Sequence, residues 1–137
     1  MRNDLRKLIT GKYYSFKDGL NLKIAYDCVI NHMQDNKTIH AASLLLSSDS
    51  EPLGFAVLID RDVSIFPLVE DFYINTARKA VIFRISERDD LRPTQKEIFA
   101  MLSCKEILYE NHMRLYDYVL VSDNSSFSFR DHHRPLI

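Results

Sequence analysis

The residues with the clearest chemical potential lie in the segment "RISERDDLRPTQKEI", residues 84–98. It contains Asp90, Pro93 and the pair Thr94 and Glu97, and it joins an apolar run to a helical pattern. Thr94 and Glu97 have the spacing of a capping box, and helix capping alone is the simplest interpretation of the pair. However, a polar loop between a strand and a helix N-terminus is also where α/β folds bind ligands. The segment therefore predicts a capped helix and a candidate site beside it.

The elements before this loop can be placed from local patterns. The pattern "SFKD" at Ser15 is that of a capping box and predicts a helix from there to about Met33. Two strands are predicted near residues 39–46 and 53–59, and their continuous apolar runs favour a sheet that is covered on both faces. Pro67 is suited to the first turn of a second helix, "PLVEDFYINTARK".

The elements around and after the loop complete the fold prediction. The apolar run "AVIFRI" predicts a central strand, and a third helix is predicted from about Thr94 to Asn111, with inward residues Ile98, Met101, Leu102 and Leu108. The segments "LYDYVLVSD" and "SSFSFRD" predict two closing strands around a turn at Asp123 and Asn124. This order predicts the α/β class, with a mixed β-sheet sandwiched by helices.

Composition restricts the class of protein. The chain has 137 residues, of which 46% are hydrophobic and 27% charged, with a net charge of −1. These values are typical of a globular protein, and because no repeat or Pro/Gly-rich linker interrupts the chain, a single domain at residues 15–137 with a short arm at residues 1–14 is predicted. No apolar run approaches the roughly 20 residues of a membrane helix, and the start has no signal-peptide core, so a cytoplasmic protein without a membrane partner is expected. Cys28 and Cys104 are predicted to be buried thiols rather than a disulfide bridge.

Several segments together resemble a known family. "AVIFRISERDDLRPTQKEI" is similar to the signature of RadC-type proteins of the JAB/MPN (JAMM) metalloprotease superfamily, in which an apolar strand runs into H-x-H-P-S-G-D-P-x-P-S-x-x-D. Without gaps, Asp90, Pro93, Thr94 and Glu97 fall on the Asp, second Pro, Ser and final Asp of that signature. "SLLLSSDSEPLGFAVLI" and "LYDYVLVSDNSSFSFRD" resemble flanking segments of the family, so that the likeness spans about residues 14–131. It implies a JAB/MPN, cytidine-deaminase-like architecture.

The chain departs from this family at the positions that do chemistry. In the family, two histidines and an aspartate hold zinc, and an upstream glutamate is the general base. Here Arg84 and Ser86 occupy the histidine positions, and Glu97 occupies that of the aspartate. The general-base position falls near Ile39 or His40, neither of which is a carboxylate. A guanidinium is cationic and has no lone pair to donate to a metal. The resemblance therefore implies a pseudoenzyme without zinc and without other cofactors.

The same resemblance suggests how Arg84 and Glu97 are arranged. In the family both positions point at one metal, so their side chains are expected to converge here, with the guanidinium replacing the zinc charge. Arg88 is expected to belong to an exposed loop. Breaking the pair at Arg84 should then destabilise the fold more than removing Arg88.

Three functional hypotheses follow. The preferred one is an inactive binding or scaffolding domain with a protein partner or a second copy of itself; the family is associated with DNA repair and mobile elements. The alternative is a zinc-dependent metallohydrolase, peptidase- or isopeptidase-like, with a site rebuilt from His40, Glu97 and a third ligand. Nucleic-acid binding would need a basic patch made by folding, and the near-neutral net charge gives it little support. Its candidate residues are Arg84, Arg88, Arg92 and Lys96.

Other candidate residues have simpler interpretations. His132 and His133 could bind a metal with Asp131, but neighbouring side chains on an extended segment point in opposite directions, which favours a solvated tail. Cys104 could act as a nucleophile only if folding brought His40 or His112 to it, and its apolar neighbours favour a core thiol.

Overall fold

The computed structural model describes residues 13–17, 19–58, 77–86, 88, 90–132 and 137. The predicted helix that begins at Pro67 lies outside the described residues except for residues 77–79, which are not helical, because Lys79 begins a strand. The observed elements, in chain order, are β1 (Tyr13–Ser15), α1 (Leu22–Asp35), β2 (Ala41–Leu46), β3 (Pro52–Leu58), β4 (Lys79–Ile85), α2 (Gln95–Glu110), β5 (Arg114–Val121), β6 (Ser126–Ser128) and α3 (Phe129–His132).

The described strands form one six-stranded mixed sheet in the order β1-β3-β2-β4-β5-β6. Strand β4 lies between β2 and β5, so the prediction that "AVIFRI" forms a central strand is confirmed. Strands β4 and β5 are parallel and are joined through α2, whereas the other neighbouring pairs are antiparallel. With three helices among the described residues, the chain belongs to the mixed α/β class.

In the described part of the chain, one long helix covers each face of the sheet. On the first face, the buried residues of α1 are Ala25, Val29 and Met33. They pack on alternate residues of the central strands, namely Ala42, Leu44, Leu46, Val81, Phe83, Val119 and Val121. On the second face, the buried residues of α2 are Met101, Cys104 and Leu108. They pack on the intervening strand residues, namely Ala41, Leu45, Ala80, Ile82, Tyr118 and Leu120. Coverage of both faces explains why β2 and β4 read as continuous apolar runs.

The first helix begins later than predicted. Ser15 does not cap a helix; it ends β1 and pairs with Gly54 of β3. The helix begins at Leu22, where the Asn21 side chain accepts hydrogen bonds from the backbone of residues 23 and 24. The earlier start is excluded because Tyr14 stacks on Phe55, with ring centroids 4.8 Å apart, and this contact requires an extended edge strand.

Three smaller predictions about burial and chain path are wrong. Leu102 is 36% exposed, because the inward face of α2 is set by residues at spacings of three and four, and Leu102 lies beside that face. Cys28 is exposed, whereas Cys104 is buried as predicted. The last predicted strand stops at Ser128, whose side chain accepts a hydrogen bond from the backbone of Asp131 and so starts the helical turn α3.

None of the helices in the described part of the chain is both long and apolar enough to cross a membrane.

Candidate functional site

The ends of three strands meet where β4 leaves the sheet. The backbone N–H of Ile85 donates to the carbonyl of His40, at 3.0 Å, just before β2. The backbone N–H of Ser86 donates to the carbonyl of Val121, at 2.7 Å, at the end of β5. Beside this junction lies a pocket of about 430 Å³, bordered by the first turn of α2 and lined by His40, Arg84, Ile85, Ser86, Arg88, Lys96 and Glu97.

The structure brings most of the predicted site residues to this one pocket, which is called the β4 pocket below. Arg84 and Ser86, which the resemblance aligns with the two histidines, line it together with Glu97. Of the two candidate general-base positions, His40 lines the pocket, whereas Ile39 is buried in the core on the α1 side. Four of the predicted site residues, Arg84, Ser86, Glu97 and His40, thus line one pocket.

The capping box at the start of α2 is confirmed. The Thr94 hydroxyl accepts a hydrogen bond from the backbone N–H of Glu97 at 3.2 Å. In return, Oε1 of Glu97 accepts a hydrogen bond from the backbone N–H of Thr94 at 2.9 Å. These two bonds satisfy groups that the first turn of a helix otherwise leaves unpaired, so the helix start is fixed locally.

The predicted pairing of Arg84 with Glu97 is wrong. Arg84 Nε donates to the Tyr118 hydroxyl at 3.3 Å, and Glu97 Oε1 accepts instead from the Arg88 guanidinium. The cause is the register of the parallel strands. Arg84 is level with Leu120 of β5, so its side chain extends along the α2 face towards Tyr118, two residues earlier on β5.

Arg88 holds the loop together. One terminal nitrogen, Nη1, donates to the carbonyls of Asp90, at 2.7 Å, and Arg92, at 3.2 Å, while Nη2 donates to Glu97. One guanidinium thus joins two loop carbonyls to the first turn of α2. The side chains of Arg88 and Glu97 are 39% and 23% exposed, so the expectation that Arg88 is a simple exposed loop residue is wrong.

Electrostatics keep Glu97 ionised and Tyr118 protonated. Partial burial acts to raise the pKa of Glu97, but hydrogen bonds from Thr94 and Arg88 outweigh it and lower that pKa. Burial raises the pKa of Tyr118, and the nearby Arg84 guanidinium only partly offsets this effect. Tyr118 is therefore a neutral phenol at physiological pH, and its oxygen accepts from the Arg84 side chain.

The donor set of the pocket does not match a zinc centre. Zinc in proteins takes imidazole, thiolate and carboxylate ligands, usually three or four of them. The described pocket residues supply one imidazole, from His40, and one carboxylate, from Glu97, beside three cations. No group of three or more His, Cys, Asp or Glu side chains with metal-binding placement occurs among the described residues. A hydrolytic step through a metal therefore cannot be derived from this pocket.

The predicted basic patch assembles only in part. Arg84, Arg88 and Lys96 line the β4 pocket, whereas Arg92 forms a two-pronged pair with the Asp90 carboxylate, at 2.9–3.3 Å, in the exposed loop. The positive charge is thus concentrated in a pocket and does not continue along the loop as a stripe.

The sequence predictions missed a second polar cluster, centred on Asp117 of β5. Asp117 is 1% exposed. One of its oxygens accepts from the hydroxyls of Tyr26, at 2.8 Å, and Ser128, at 2.5 Å, and the other accepts from the backbone of Tyr118, at 2.7 Å, and Arg130, at 2.9 Å. The available signal was an aspartate inside the apolar run "LYDYVLV", which requires buried partners.

The remaining candidates have structural surroundings. His132 stacks on Phe127, with ring centroids 4.5 Å apart, and His133 lies outside the described residues. Burial raises the pKa of the Cys104 thiol, an effect that the charge of Arg84 only partly opposes. A raised pKa disfavours the thiolate that a nucleophile needs.

Comparison with known proteins gives no relative for this chain: no protein-family model matches it, and neither does any curated protein sequence. The RadC-like relationship stays a prediction from the sequence motif.

Proposed function

We propose that this chain is a RadC-like domain of the JAB/MPN type that binds a ligand or partner at the β4 pocket and does not catalyse hydrolysis. The observation that carries the proposal is the contact of Arg88 with Glu97, at the position where the family has a metal ligand. A mixed sheet with one long helix on each face, and a central strand that leads into the site, is compatible with the architecture of that family.

Charge supports the absence of a catalytic metal in this proposal. Oε1 of Glu97 already accepts hydrogen bonds from Arg88 and Thr94. A divalent cation that approached Glu97 would displace this guanidinium and would also meet Arg84 and Lys96 in the same pocket. The loop is held by a side chain of the protein itself, so its conformation does not require a metal.

The metal content of the purified protein tests this proposal. Protein prepared without chelator should contain well under one zinc per chain, because the pocket has more cations than metal donors. The matched variant is Glu97→Gln, which removes the carboxylate charge and keeps the size of the side chain. A zinc content near one per chain that falls on this substitution would overturn the proposal.

The metallohydrolase is a second candidate, because His40 and Glu97 do line one pocket. It requires the carboxylate to exchange Arg88 for a metal and a third donor to join the site. The variant Arg88→Ala removes the competing cation. If that variant took up one zinc per chain and lost it on the further change His40→Ala, the rebuilt metal site would be supported.

The class of partner is also proposed rather than tested. The positive surface of the pocket is too short to follow a nucleic-acid strand, because Arg92 is paired with Asp90 and does not extend that surface. We therefore favour a protein partner, a second copy of the chain or a small ligand over DNA, and the link to DNA repair or mobile elements rests on the family resemblance. An affinity for DNA that fell steeply with salt would reverse this preference.

A further inference from the structure

The β4 pocket has hydrogen-bond donors that the chain does not use. Arg84 donates through Nε to Tyr118, but its two terminal nitrogens have no partner in the part of the chain that the structure describes. Lys96, on the first turn of α2, likewise has no partner among the described residues. Because guanidinium and ammonium groups are donors only, a ligand that satisfies them must supply acceptor oxygens.

Arg84 is held in position for such a ligand. Its Nε bond to Tyr118, at 3.3 Å, restricts the exposed guanidinium, and Tyr118 is itself 1% exposed and packs edge-on against Phe129, with ring centroids 5.5 Å apart. A guanidinium anchored through Nε still presents its two terminal N–H groups side by side. This fork geometry suits two oxygens of one phosphate or carboxylate.

The charge of the pocket selects between these anions. Its described lining residues carry three positive charges, from Arg84, Arg88 and Lys96, and one negative charge, from Glu97, which gives an excess of +2 when His40 is left out of the count. The single carboxylate is already paired with Arg88, so the excess is located at Arg84 and Lys96. A phosphate monoester carries about −1.5 to −2 at neutral pH, whereas a carboxylate carries −1.

We infer that the β4 pocket binds the phosphate group of a small phosphate monoester, held by the fork of Arg84 and by Lys96. This inference rests on the proposed binding function and names its ligand class. The pocket volume of about 430 Å³ lies in the range of small-molecule sites. The start of α2 adds backbone dipoles that favour an anion near Lys96.

The experiment is a titration of the full chain with inorganic phosphate, followed by the amide resonances of the protein at constant ionic strength set with chloride. Saturable shifts are expected around Arg84 and Lys96. The variants Arg84→Gln and Lys96→Gln should each weaken binding by about tenfold, as expected for the loss of a charged donor. Lys105→Gln, which removes the same charge from the same helix outside the pocket, should bind phosphate as the parent does.

Further ligands define the class. Phenyl phosphate should bind at least as tightly as inorganic phosphate, and acetate should bind more weakly. Equal affinity for acetate would overturn the assignment to phosphate. Tighter binding of an oligonucleotide without a terminal phosphate, in competition with phenyl phosphate, would assign the pocket to a nucleic-acid backbone instead.

The inference also fails if no shift saturates below about 10 mM phosphate, or if Arg84→Gln binds like the parent protein while its thermal unfolding is unchanged. Zinc measured in the same samples separates this failure from that of the proposed function. Phosphate binding that was lost together with bound zinc on chelation would overturn the proposed function. Lack of phosphate binding in zinc-free protein would overturn only the assignment of the ligand.

Discussion

Asp117 and Glu97 lie in two polar clusters on opposite sides of the sheet. The Asp117 carboxylate is buried, and both of its oxygens accept hydrogen bonds from this chain. In the β4 pocket, Glu97 is paired with Arg88, but the donors of Arg84 and Lys96 remain available. The Asp117 cluster also has two marks of a functional site: it borders a pocket of about 450 Å³, and burial raises the pKa of Asp117, which its hydrogen bonds only partly offset.

The Asp117 cluster and the β4 pocket differ in how many of their hydrogen-bonding groups lack a partner in the described chain. The Asp117 cluster ties α1, β5 and the start of α3 together and has little hydrogen-bonding capacity left for a ligand. Burial also raises the pKa of Tyr26, with further increases from the charge and hydrogen bond of Asp117, so Tyr26 remains a neutral donor. We therefore interpret the Asp117 cluster as structural and keep the β4 pocket as the proposed binding site.

Removing the Asp117 carboxylate should give the largest loss of stability. Asp117→Ala leaves the hydroxyl of Tyr26 and the backbone N–H of Arg130 without their acceptor, and each such partly buried donor costs up to about 1–3 kcal/mol. We expect a total loss of about 3–5 kcal/mol in the free energy of unfolding, measured in urea. The control Asp123→Ala, which removes an exposed carboxylate paired with Lys37, should have almost no effect. Equal losses would show that the buried cluster is not structural.

The second prediction compares the two arginines of the β4 pocket. Arg88→Ala should cost about 1–3 kcal/mol, since it removes three hydrogen bonds of the loop, reduced by their partial exposure to water. Arg84→Ala should cost about 0.5–1 kcal/mol, because it removes one bond to Tyr118. Urea unfolding of both variants checks the order. A larger loss for Arg84 would mean that Arg84 stabilises the fold and is not reserved for a ligand.

Local signals were sufficient for the framework of the β4 pocket. Thr94 and Glu97 are three residues apart, so their mutual capping depends on little besides the helix itself. The central position of β4 followed from an apolar run that must be covered on both faces. At Ser15, by contrast, the capping pattern was misleading, because pairing with β3 stabilises the extended conformation.

Contacts distant in sequence were not predictable. The choice of Arg88 rather than Arg84 as the partner of Glu97 depends on the path of the loop and on the register of β4 with β5. Tyr26 and Asp117 are 91 residues apart and meet only when α1 packs on the sheet. Residue types indicated a buried polar group at Asp117, but only the tertiary fold determines its partners.

The third prediction tests whether capping or Arg88 fixes the start of α2. Thr94→Ala should cost about 1 kcal/mol, within the usual range of 0.5–2 kcal/mol for a lost N-cap. Thr38→Ala, in an exposed turn, is the control for removal of a hydroxyl and should be neutral. No loss for Thr94→Ala in urea would indicate that the contact of Arg88 with Glu97 is sufficient to start the helix.

The smallest expected effect concerns the pH dependence of stability. The contributions of Asp117 and Glu97 to the free energy of unfolding should change in opposite directions as the pH rises. The pKa of Asp117 is raised by burial above the ordinary value of about 3.9, so in the window between the two the folded state holds a proton that the unfolded state has lost. The contribution of Asp117 to stability is therefore complete below about pH 3.9 and declines as the pH rises through its folded pKa.

Glu97 behaves in the opposite way, because hydrogen bonds from Thr94 and Arg88 outweigh burial and lower its pKa below the ordinary value of about 4.3. Its contribution is present above about pH 4.3 and is lost as the pH falls through its folded pKa. Urea unfolding from about pH 3 to pH 7 can separate the two, with Asp117→Asn and Glu97→Gln as non-titrating references. The stability difference between the parent and Asp117→Asn should fall as the pH rises, whereas the difference from Glu97→Gln should grow. Slopes of the same sign would mean that the two carboxylates share one kind of environment, and the division into a structural cluster and a binding pocket would be lost.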